Sequence, residues 1–193
     1  MGKAINLCLA VLLVVSGCAS FGGHSPEISS FPETNIKPTL LIKVKFRQFI
    51  NDEPNYMFSE NGRAMLTDKV IERFNMSNMF GSVGDDIKNP EYTLEVNIEN
   101  RGDASMIMAF LTGLSLYIIP SCATDDYKLE AKLINNKTEK VNKITMKDSI
   151  TTCQQLLLLF VMPFKCPISE IKTMQDNFVD NLALNVNEAI QRN

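Results

Sequence analysis

Five cysteines, one histidine and three adjacent acidic pairs are the side chains in this 193-residue sequence whose types could carry chemistry. Thiolates serve as nucleophiles, metal ligands or disulfide partners. Cys8, Cys18, Cys122, Cys153 and Cys166 contain no C-x-x-C pair and no zinc spacing, so neither a redox couple nor a metal cluster is written in their order. His24, the only histidine, lies in a stretch rich in Ser, Gly and Pro, and a Ser-His or Cys-His nucleophile would have to draw its base from there. Asp52 with Glu53, Asp85 with Asp86, and Asp125 with Asp126 flank loops or strand starts, where carboxylates are ordinarily solvated. No glycine-rich phosphate loop is present. The expectation is a protein without catalytic residues, metal or cofactor; a hydrolase using acidic residues is the weakest of three readings.

Cys18 has a different context. It closes the stretch VVSGCAS, after an uncharged run that starts beyond Lys3. The apolar part, residues 4 to 15, matches the length of a signal peptide's hydrophobic region and falls short of the roughly 20 residues a spanning helix needs. Val15, Ser16, Gly17 and Cys18 give the order aliphatic, small, small, cysteine, which resembles the lipobox of bacterial lipoproteins. The resemblance implies cleavage before Cys18, a diacylglycerol thioether on its sulfur and usually an acyl chain on its new amino group. Two or three chains anchor stably where one anchors marginally. Ala19 in place of aspartate after the cysteine implies export to the outer membrane of a Gram-negative cell. The alternative is ordinary secretory cleavage after Ala19.

Three segments follow: 1–17 as lipoprotein signal peptide, 18–38 as lipidated N-terminus and flexible tether, and 39–193 as a single domain. The whole chain carries a net charge of -3, and loss of Lys3 makes it -4, which argues against a nucleic-acid partner.

Within the domain, Leu40, Ile42, Val44 and Phe46 alternate with Lys43, Lys45 and Arg47, the pattern of a half-buried strand. Leu66, Val70 and Phe74 stand four apart, which predicts a helix over 60–75 before Gly81. A short strand is expected at 78–83. Tyr92, Leu94, Val96 and Ile98 alternate, as do Tyr127, Leu129, Ala131 and Leu133; after the polar turn NNKTEK, Ile144 and Met146 share a face, which makes a hairpin. Pro167 and Ser169 open a helix with Ile171, Met174, Phe178, Leu182, Val186 and Ile190 on one stripe. The expected fold class is α+β, in the order β-α-β-β-β-β-α: a mainly antiparallel sheet of four to five strands with both helices on one face. This arrangement looks like the small periplasmic domains of accessory and assembly lipoproteins of the Gram-negative envelope. The likeness is one of element order, and it transfers no binding residues.

Two uncharged stretches, 104–120 and 155–164, lack the alternation. With the hairpin turn between Lys137 and Thr138, opposed residues sum to 275, so Leu129 faces Met146 and Cys122 faces Cys153. Extending the ladder sets Ile119 against Leu156 and Ile118 against Leu157, and the two stretches converge at the end away from the turn. As strands they would be apolar on both faces, one packing under the helices and the other needing a cover. The candidate contact surface comprises Met106, Met108, Phe110, Leu111, Leu114, Leu116, Ile118 and Ile119, with Leu156, Leu157, Leu158, Leu159, Phe160 and Val161. In an oxidising compartment one disulfide is expected, Cys122 with Cys153, with pairings to Cys166 as alternatives. The leading functional expectation is a non-catalytic outer-membrane lipoprotein whose apolar surface engages an envelope protein or lipid. The alternative is a periplasmic carrier of lipid or another hydrophobic ligand, with those stretches lining a closed pocket.

Overall fold

The computed structural model describes residues 17–192, and the side chains of all of these but 57–61. The first 16 residues of the expected signal peptide 1–17, Cys8 among them, and the terminal Asn193 lie outside the described residues. Seven strands form one mixed sheet: β1 (Gly17–Gly22), β2 (Thr39–Ile50), β3 (Glu53–Pro54), β4 (Ser82–Gly84), β5 (Tyr92–Ala104), β6 (Ser121–Asn135) and β7 (Val141–Gln155). Among the described residues three α-helices accompany it: α1 (Tyr56–Met76), α2 (Met106–Leu114) and α3 (Pro167–Gln191); a 3-10 helix covers Leu156–Phe160. The sheet order is β1-β7-β6-β5-β2-β3, with β4 beside β2.

The α+β class and the two long helices on one face agree with the sequence expectation. Leu40, Ile42, Leu94, Val96, Leu129 and Leu133 from the sheet meet Val70 and Phe74 of α1 and Phe178, Leu182 and Val186 of α3 in one core. Phe74 stacks on Phe80 with ring centroids 5.2 Å apart. Gly62 lets α1 close down on β2, since a β-carbon there would come within 2.8 Å of the Phe46 ring. The two helices run in the same direction, because Lys69 pairs with Asp176 and, one turn on, Arg73 pairs with Asp180. Arg73 Nε donates to Asp180 Oδ1 at 2.8 Å, which neutralises a carboxylate that is almost fully buried between the helices.

Three details correct the expected fold. The sheet is mixed, because β2 and β5 pair in parallel; α1 and β4 carry the chain back to the starting end, as a parallel neighbour requires. The predicted hairpin has the expected register, with Leu129 opposite Met146 and Cys122 opposite Cys153, but its ladder ends at Ser121 opposite Gln154. Beyond that row the apolar stretches leave the sheet as α2 and the 3-10 helix, so Ile118 and Ile119 do not pair with Leu157 and Leu156. The start of the expected tether is the edge strand β1, where Cys18 pairs with Gln154 and Ser20 with Thr152.

The chain after β1 lies along the molecule. Gly23 N–H donates to Ser149 O at 3.0 Å. The N–H groups of His24 and Ser25 reach the buried Asp148 carboxylate at 2.7 and 3.1 Å. Asn181 of α3 donates to Pro26 O, and Phe31 packs on the core.

Candidate contact surface

The end of β5, the start of β6 and the end of β7 meet at one end of the molecule, where the chain runs from and into the two uncharged stretches. From β5 the chain enters α2, whose first turn is capped by Ser105, its hydroxyl accepting from Met108 N–H at 3.3 Å. Thr112 is the buried residue of α2 and turns its hydroxyl onto Met108 O. Leu116 and Tyr117 follow in the left-handed region, at φ 51° and 64°, and reverse the chain into β6. Such a conformation costs roughly 1–2 kcal/mol for each non-glycine residue. It is held by Tyr117 N–H on Thr112 O at 2.8 Å and by Leu156 N–H on Tyr117 O at 2.8 Å, the second bond tying the loop after α2 to the 3-10 helix.

The 3-10 helix in turn packs on β1. In the uncleaved chain a β-carbon on Gly17 would collide with the backbone of Leu158 and Leu159, so glycine fits this close approach; cleavage before Cys18 would remove it and leave Cys18 first in β1. Cys18, half-buried with a free thiol, therefore stands beside the 3-10 helix. Ser20 N–H reaches Lys165 O at 3.1 Å and joins the lead into α3 to the same corner.

Most of the predicted contact residues are on the outside of this end. Met106, Phe110, Leu114, Ile118, Leu157 and Phe160 are between 65 % and 77 % exposed. Met108, Leu111, Leu116 and Ile119 are less so, and Leu156, Leu158, Leu159 and Val161 are half-buried. The structure adds Ile107, Phe164 and Ile168, the last two each 81 % exposed. Ile107 and Phe164 belong to the same uncharged runs and were accessible to sequence reasoning; Ile168 is hidden in the first turn of α3, outside that helix's buried stripe. Burying a side chain of this class is worth about 1.5–3 kcal/mol, so on the order of 10 kcal/mol of apolar transfer is left unused at this end.

Cys122 and Cys153 form a disulfide across β6 and β7, next to the point where both strands leave the sheet. Cys166 remains free and half-buried at the start of α3.

The groups with catalytic potential are dispersed. His24 Nδ1 lies 3.4 Å from Asp148 Oδ1, but its ring is largely exposed. Burial alone would push Asp148 up; donation from His24 N–H, the Ser25 hydroxyl, and the Ser149 and Ser25 N–H groups holds it below the usual carboxylate range. Asp125 and Asp126 point to opposite faces of the sheet. Burial pushes Asp125 up, only partly offset by Asn100, whose amide donates to it at 3.3 Å. Beside it, burial carries the Tyr127 hydroxyl up to about 12. Asp52 pairs with Arg101, and Asp85 and Asp86 are exposed in the loop after β4. Among the described residues no three His, Cys, Asp or Glu side chains are grouped to hold a metal ion. A cavity of about 420 Å³ lies at the opposite end, lined by residues such as Lys140, Asn142, Glu188 and Arg192.

No family model and no curated protein matches the chain. Among solved structures, a neuraminyllactose-binding hemagglutinin homolog from Helicobacter pylori aligns over 86% of this chain and 88% of its own, with 11% identity and a TM-score of 0.44. A PelC dodecamer from Paraburkholderia phytofirmans aligns over 83% of this chain and 97% of its own, with 9% identity and a TM-score of 0.27. With identities this low and TM-scores under 0.5, neither carries an argument about this chain.

Proposed function

We propose that this protein is a non-catalytic, lipid-anchored module of the Gram-negative envelope, held at the periplasmic face of the outer membrane and acting by contact through its apolar end. The observation that carries the reading is a juxtaposition. Cys18, the lipobox cysteine, begins its strand at the one end where uncharged, exposed apolar side chains are concentrated. A lipid on Cys18 would thus enter the membrane at the domain's own apolar edge. A carrier would need these side chains to line a cavity; the apolar ones of α2, with Leu157 and Phe160 of the 3-10 helix, project outward instead. The scattered placement of His24 and the acidic pairs supports a contact role over hydrolysis.

The test is expression in a Gram-negative cell, mass spectrometry of the peptide that carries Cys18, and density separation of the two membranes. The expected result is a diacylglyceryl thioether with an acylated amino group, in the outer-membrane fraction, and loss of both processing and membrane association in Cys18→Ala. A freely soluble protein with no acyl mass overturns the reading.

A further inference from the structure

We infer that the occupant of the apolar end is the lipid bilayer itself, one leaflet deep, so that the domain stands on the membrane with a fixed orientation. The inference rests on the anchored reading above and adds what covers the surface and how the domain is turned.

The first argument is the level at which charge stops. Ala104 pairs with Ala123, Ala123 with Thr152, and Thr152 with Ser20, one registered row across four strands. From that row outward, residues 104–123, 152–164 and 17–20 contain no charged side chain. The next rows inward bring Asp103, then Asp125, then Arg101 with Asp126. Lys165, whose carbonyl takes the Ser20 N–H, marks the same level at the start of α3. At the end of β2, Asp52 does so through its pair with Arg101. Charge thus resumes one row inward on β5, two rows inward on β6 and, at Asp148, four rows inward on β7, so that segments far apart in sequence all lose their charge toward the same end of the molecule. A planar interface between water and hydrocarbon requires every segment to do so on one side, whereas a patch for a protein partner does not.

The second argument is backbone satisfaction. Hydrocarbon offers no hydrogen bonds, so a segment entering it must satisfy its own N–H groups. Five consecutive residues after α2 do so without any regular element: Ser115 on Leu111 O, Leu116 on Gly113 O, Tyr117 on Thr112 O, Ile118 on Ser115 O, and Ile119 on the Ser115 hydroxyl. After the 3-10 helix, Val161 and Met162 donate to Leu158 O, and Phe164 and Lys165 to Val161 O. The polar side chains of the cap are hydroxyls and the Gln154–Gln155 pair at its rim, where Gln155 Nε2 faces Ile118 O at 3.4 Å.

The third argument is depth. Two further strand rows at about 3.3 Å each and a helical layer about 10 Å across give a cap of roughly 15 Å, the thickness of one hydrocarbon leaflet. No helix among the described residues is long and apolar enough to cross a membrane, so the cap enters without spanning.

The chain has no tryptophan, so single reporters are unambiguous. Phe110→Trp and Phe160→Trp place one in the cap, and Val141→Trp places one at the opposite end of the hairpin. The full-length lipidated protein is reconstituted into phosphatidylethanolamine–phosphatidylglycerol vesicles, with and without brominated acyl chains. Flotation with the vesicles reads the anchor; quenching by bromine reads this inference. The expected result is blue-shifted emission from both cap reporters, lost for the most part in brominated vesicles, with Val141→Trp unshifted and unquenched. Adding Phe164→Asp to Phe110→Trp should reduce quenching while flotation and the far-ultraviolet circular dichroism stay unchanged. Flotation with an unshifted cap reporter, or with a blue shift that bromine does not quench, overturns the inference and leaves the anchor standing; the second outcome would assign the cap to a protein, such as a second copy. Absence of flotation overturns the anchored reading and this one with it.

Discussion

The two ends of the molecule are built from the same strands and treated oppositely. At the hairpin-turn end, Asn135 closes a polar turn on Lys137 and Thr138, Lys137 pairs with Glu91, and Arg192 pairs with Glu188 at the last turn of α3. At the other end the strands run out into α2 and the 3-10 helix, and the side chains turned outward are Met, Ile, Leu and Phe. The difference teaches that the apolar end is no surplus of core. The core beneath α1 and α3 is complete without it, and the charged end shows that this chain can finish a strand in a fully solvated way.

The sharpest test of that separation compares two phenylalanines. Phe178→Ala removes a ring from the core and should cost about 3–5 kcal/mol in chemical denaturation, whereas Phe160→Ala in lipid-free solution should change stability by less than about 0.5 kcal/mol. Equal losses would mean that the apolar end is packed into the core after all. The disulfide should matter next: Cys122→Ser with Cys153→Ser opens a loop spanning 31 residues of sequence separation, for an expected loss of about 2–4 kcal/mol. A smaller loss would show that the hydrogen-bonded rows alone hold the base of the cap.

Arg73→Met, distant from both ends, leaves the Asp180 carboxylate unpaired among apolar residues and should cost roughly 2–3 kcal/mol. Asp180→Leu on the same background should recover most of it. A double variant no more stable than the single one would break the ion-pair account.

The smallest effect concerns the strap after β1. Asp148 has its folded value depressed, so its stabilising contribution is present above the unfolded carboxylate value of about 3.9 and is lost as pH falls through the lower folded value. Asp148→Asn should therefore be less stable than the parent by about 1 kcal/mol near neutrality, and the gap should close in acid below about pH 4. A gap that stays constant with pH would assign the loss to geometry instead of charge. Proteolysis at residues 22–30 should rise in the same variant.

The sequence made the helical layer and the hairpin legible because each rests on a local period. Leu129 and Met146 were placed opposite one another by turn position and alternation alone, and Cys122 with Cys153 followed from the same count. The parallel pairing of β2 with β5 was hidden, since alternation says which face a strand buries but not which neighbour it takes. The α2 segment was hidden for another reason: in ASMIMAFLTGL nearly every residue is apolar, so neither period stands out, and only length and the Ser105 cap favour a helix. The β1 segment, GCASFG, has weak strand propensity of its own. Its strand is imposed by the unpaired outer edge of β7 and by Asp148, which fixes the residues beyond it. The position of the apolar surface was legible; its curvature into a cap was not.

The entry of Cys18 directly into a strand also limits reach. On the anchored reading proposed above, a lipid attached there would have no slack chain behind it, and a domain whose longest strands have 15 residues would reach only about 50 Å from it. On that reading, whatever it meets would have to come within that distance of the bilayer and would find the charged hairpin tip uppermost.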